Sequence, residues 1–92
     1  MPIPTNKGNV VCYLDHQYRW MTRTTKQGSE VHVQLNEIPD GQMLIAKVPR
    51  LFKEVMVLDI IEHGPEMGWD PTVKGPDITC RLTKGHLIKL EN

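Results

Sequence analysis

Short stretches in which apolar and polar residues alternate run through most of this chain, separated by breaks containing glycine or proline. Glu30 to Asn36 carries the cleanest pattern. Val31, Val33 and Leu35 point one way and His32 and Gln34 the other, which is the period of a half-buried β-strand. Asp77 to Thr83 repeats it, with Ile78, Cys80 and Leu82 inward and Thr79 and Arg81 outward. Asn9 to Asp15 alternates too, and there Val10, Cys12 and Leu14 are expected to form the buried set. Tyr18 to Thr25 is rich in aromatic and β-branched residues, and Gln42 to Val48 is an almost continuous apolar run. After a Lys84-Gly85 turn, His86 to Glu91 has the look of a closing strand. Asp40-Gly41, Gly64-Pro65 and Gly75-Pro76 are further turn signals, because Gly supplies positive φ and Pro presets φ.

Residues 49–63 fit two templates. Pro49 as a first helical residue and Gly64 as a stop would bracket a helix, with Leu51, Val55, Leu58 and Glu62 on one stripe and Phe52, Met56 and Asp59 on the next. The β-branched residues Val55, Val57, Ile60 and Ile61 argue instead for a turn over 49–53 and a strand over 54–62. The strand is the expectation adopted. The pattern as a whole predicts a mostly β fold: a small antiparallel sheet or barrel of five to seven short strands, with at most one short helix near residues 49–63. A βαβ parallel arrangement is not expected.

The chain has 92 residues, enough for a single domain spanning 1–92. No apolar run approaches the roughly 20 residues that cross a bilayer, so no membrane association is expected. Met1–Lys7 holds no hydrophobic segment, and a cytoplasmic location with reduced thiols is the expectation. Cys12 and Cys80 both sit among apolar neighbours and are expected as packed thiols. The net charge is zero, which argues against a generic polybasic binder, yet the charges are unevenly placed. Residues 1–53 sum to +3 and residues 54–92 to −3, and the stretch 54–77 holds six acids and one base.

Motifs that carry chemistry are missing from the sequence. Cys12 and His16, or Cys80 and His86, lack the compact spacing of a zinc site; in a strand the first pair would lie about 13 Å apart. No nucleophile–base pair comes with an orienting group, so neither an enzyme nor a metal or other cofactor is expected. His32 and His63 are expected as solvated side chains.

Two surfaces stand out as binding candidates. Tyr18 to Lys26 interleaves bases with aromatics, but strand period sends Tyr18 and Trp20 to one face and Arg19 and Arg23 to the other. Trp20 is therefore expected in the core. Arg19, Arg23 and Lys26 form a basic surface suited to carboxylate or phosphate. The stretch 63–76 lacks either period and is expected as a long loop, with Met67 and Trp69 available as contact residues or with Trp69 plugging an end of the sheet.

Small size, the lack of catalytic motifs and the uneven charge match a class of small phage or mobile-element inhibitors, anti-CRISPR proteins among them. The expected function is a non-catalytic binding protein that occludes a partner surface on a protein or ribonucleoprotein complex that handles nucleic acid. The alternatives are an OB- or SH3-like nucleic-acid-binding module and an assembly subunit that pairs with a second copy of itself.

Overall fold

The computed structural model describes residues 8–26, 28–38 and 40–90. Six strands form one open sheet in chain order: β1 Asn9–Tyr13, β2 His16–Thr25, β3 Gly28–Leu35, β4 Leu44–Val48, β5 Ile78–Thr83 and β6 His86–Lys89. Four strands form an antiparallel meander and the last two a hairpin. Between these units β4 and β5 run parallel, with Leu44 opposite Ile78 and Ala46 opposite Cys80. Parallel neighbours need a crossover. Here it contains the helix α1, Met56–His63, and a 3-10 turn over Gly64–Met67. The domain is thus mostly β, as the alternation predicts. Of the two forms expected it takes the open sheet rather than the barrel, and it departs from expectation in one respect: the sheet is mixed rather than wholly antiparallel.

The core lies between the sheet and α1. Tyr18 and Trp20 of β2, Val31, Val33 and Leu35 of β3, Leu44 and Ala46 of β4, and Cys80 and Leu82 of β5 share the inner face. Val57, Ile60 and Ile61 of α1 pack onto them, with Val57 and Ile60 fully buried. Each such side chain contributes about 1.5–3 kcal/mol by leaving water. The chosen strand over 54–62 is corrected by this stripe: Val57, Ile60, Ile61 and Gly64 recur at helical spacing, and their burial outweighs the weak helix propensity of β-branched residues. The stripe first considered for a helix is also displaced, since Leu51 is 81% and Val55 64% exposed.

The expected loop over 63–76 begins as the end of the helix and the 3-10 turn, and it is anchored rather than free. Trp69 is 3% exposed, and its indole N–H donates to the Gln42 carbonyl at 2.8 Å. The Gln42 side chain donates to the Pro76 carbonyl and accepts the Asp70 N–H, each at 2.8 Å, while its own N–H reaches Val73. Gly64 lies against Trp69 so closely that any side chain there would overlap the ring and come within 2.9 Å of Leu44 Cδ2.

In β1 the alternation is read one residue out of step. Val11 and Tyr13 face the core, while Val10 and Cys12 lie on the opposite face and Cys12 is exposed. Leu14, expected inward, is in the β1–β2 turn with φ 48° and is 75% exposed. Of the two expected packed thiols only Cys80 is buried. The expected extension of the last strand to Glu91, and the Met1–Lys7 stretch, lie outside the described residues. Among the described residues no helix is long and apolar enough to cross a membrane.

Candidate functional site

α1 covers one face of the sheet, and the residues on the other face follow directly from strand register. One row across it runs Met21, His32, Ile45, Thr79; the next runs Arg23, Glu30, Lys47, Arg81, Ile88. Val10, Arg19 and Gln34 make a third row; Gln34 is 5% exposed and donates to the Gly41 carbonyl, so the 36–43 connection folds over that corner. Arg19 also donates twice to Asn36 Oδ1, at 3.1 and 2.8 Å. Arg19 and Arg23 do share a face, as strand period requires. Arg19 is tied into the sheet, and Arg23 is exposed.

Glu30 is the only acid in the two uncovered rows, and its Oε1 lies 3.3 Å from His32 Nε2. His32 is mostly sheltered, its side chain 14% exposed, rather than solvated as expected. Lys47 and Arg81 occupy register-paired positions on parallel strands, ~4.8 Å apart across the sheet. Like charges at that spacing oppose each other, and Glu30, register-paired with Lys47 on its other side, offsets part of that repulsion.

The basic rows lead to one end of the sheet. Two adjoining depressions lie there, with volumes of about 450 and 470 Å³. They share a wall made of Thr25, Gly28, Ser29 and Val48. Lys47, Arg81, Thr83 and Lys84 line the first, with Glu30 as its acid, and Lys26 and Arg50 line the second. Lys26 of the sequence-derived basic surface is thus part of this end. Lys47, Arg50, Arg81 and Lys84 join it from distant parts of the chain.

No family model, curated protein or solved structure matches this chain. The site rests on its own geometry.

The other sequence-derived contact residues lie elsewhere. Met67 is half-buried against the core, and the buried ring of Trp69 stacks at a tilt on Tyr18, with centroids 5.9 Å apart. Of the two roles open to Trp69, filling the space over the sheet is the one it takes, so its ring presents no surface to a partner. Burial raises the pKa of Tyr18, helped by nearby Tyr13 and Glu37. Burial likewise pushes the Cys80 thiol up to about 12, which leaves it without nucleophilic thiolate at neutral pH. His63 lies near Glu62 and Glu66 and 6.1 Å from the His86 ring. Among the described residues no group of three His, Cys, Asp or Glu side chains is placed to hold a metal ion.

The acidic residues gather on the other layer. Asp59 and Glu62 are on α1, Glu66 is in the 3-10 turn, and Glu54, Asp70 and Asp77 flank them in the crossover. A side-chain and a backbone hydrogen bond from Thr72 hold the exposed Asp70 carboxyl below its ordinary pKa. The charge split seen along the chain therefore becomes a net excess of acid in the helix layer, where Lys53, Lys74 and Lys89 also lie, and a net excess of cations on the sheet face.

Proposed function

We propose that this protein is a non-catalytic binding protein that docks the uncovered face of its sheet on a negatively charged partner surface and occludes it. One observation carries this reading: the face without a helix bears Arg23, Lys47 and Arg81 in a single row, with Glu30 as its one acid, beside the apolar Met21, Ile45 and Ile88. Cations set around apolar side chains combine steering with a contact area that excludes water. The acidic helix layer would orient the molecule during approach, because the field of a dipolar protein turns its basic side toward an anionic target.

The test is affinity capture from nuclease-treated bacterial lysate with the wild type and an Arg23→Glu, Arg81→Glu variant. Arg19 is left intact because its bonds to Asn36 join β2 to the following connection. A partner held by the wild type and lost by the folded variant supports the reading. The same partner retained by both at equal strength overturns it.

A further inference from the structure

We infer that the two adjoining depressions at the basic end of the sheet form a binding trough for the phosphates of a single-stranded nucleic acid. This deepens the binding reading by naming the chemistry of the anion, and it rests on that reading. The trough is assembled from three places in the chain: the β2–β3 hairpin, the end of β4 with Arg50, and the end of β5 with its turn. Nothing in local sequence requires these segments to be basic at their meeting point. Yet Lys26, Lys47, Arg50, Arg81 and Lys84 converge there against the single acid Glu30.

The chemistry of the lining selects phosphate. Arg and Lys supply charge, and the hydroxyls of Ser29 and Thr83 supply neutral donors of the kind that fix a phosphodiester oxygen. Thr25 Oγ1 donates to the Gly28 carbonyl, which holds the shared wall in shape. The shape selects a strand. Two depressions of nearly equal volume, sharing one wall, accommodate successive units of a linear polyanion rather than one compact ligand. A single strand can bend to follow both cups, whereas a duplex is stiff over this length and holds its backbone to one course. No aromatic side chain lines either depression, so the contacts go to phosphates and not to base faces. Binding should be tolerant of sequence.

The test is fluorescence anisotropy of the full chain with a fluorescein-labelled 15-residue oligo-dT, titrated across salt concentration. The expected result is binding whose logarithm falls with the logarithm of salt at a slope of about −2 to −3.5, for three to five phosphates contacted on a single strand. Arg81→Glu with Lys84→Glu should weaken binding at least tenfold while the far-UV spectrum stays unchanged and the Tm does not fall. Lys74→Glu, outside the trough, should leave it unchanged. A 15-base-pair duplex binding as tightly as the single strand overturns the assignment. Equal affinity of the wild type and the Arg81, Lys84 variant also overturns it. Lack of any oligo-dT binding by a protein that still captures its partner after nuclease treatment overturns this inference and leaves the occlusion reading standing.

Discussion

Leu14 is the residue least suited to its place. With Asp15 it makes a two-residue hairpin turn in which both have positive φ, 48° and 66°. That geometry belongs to Asn and Gly, and a left-handed residue with a larger side chain costs about 1–2 kcal/mol. Leu14 is 75% exposed and gives up almost no packing when replaced. Leu14→Asn should therefore raise the unfolding free energy by about 1 kcal/mol, seen as a higher urea midpoint at unchanged slope; a lower midpoint would contradict this. The two thiols should differ as sharply. Ellman's reagent should label exposed Cys12 in the native protein and reach Cys80 only on unfolding. Because the native Cys80 thiol titrates near 12 and an unfolded one near 9.0, its protonated form stabilises the fold fully below pH 9. That contribution is lost as pH rises from about 9 to 12, where the unfolded chain binds fewer protons. In Cys80→Ala the alkaline decline should be shallower, as read from urea midpoints measured between pH 8 and 11.

Among the elements, the crossover depends on one side chain. Gln42 is 8% exposed and bonds to both Asp70 and Pro76, so Gln42→Ala should destabilise by about 2 kcal/mol by stranding an N–H and a carbonyl. Gln42→Glu keeps the acceptor for Asp70 but sets a carboxylate oxygen against the Pro76 carbonyl, and should cost at least as much; urea unfolding of the two variants decides it. Gln42 had no signal in the sequence beyond opening an apolar run. The strands around it were legible wherever one face is buried and the other wet: Val31, Val33 and Leu35, and again Cys80 and Leu82, alternate because the helix covers only one side. The helix itself was harder to read. Val57, Ile60 and Ile61 lower helix propensity by about 0.5 kcal/mol each, and only the sheet beneath them supplies the larger compensating burial. β1 was misread because an edge strand buries neither face fully, so Val10 and Val11 were equally good candidates for the inside. For the candidate site, the shared face of Arg19 and Arg23 was legible from strand period. The pairing of Lys47 with Arg81 was not, since it depends on a parallel register set by the distant crossover.

Across the whole molecule, charge is unevenly divided: beyond Arg50 the crossover carries six acids against Lys53 and Lys74, with Lys89 reaching it from β6, while Arg23, Lys47 and Arg81 outnumber Glu30 on the uncovered sheet face. Exposed cations held this close repel one another, and salt screens that repulsion. The Tm should therefore rise between 10 and 150 mM NaCl, and the Arg81→Glu, Lys84→Glu variant should show a smaller rise; a calorimetric scan at both concentrations reads the difference. The lone parallel seam between β4 and β5 also sets a timetable. Strands β1 to β4 meet through neighbouring hairpins, whereas β5 must wait for the crossover to return it to the sheet. Contacts that close short loops form early, and those that close long ones form late. Stopped-flow kinetics should show Val33→Ala slowing folding in proportion to its equilibrium cost, while Leu82→Ala mainly speeds unfolding. In that interval the bare edge of β4, with Leu44 and Ala46 on its apolar side, is the surface through which a newly made chain can join the wrong neighbour.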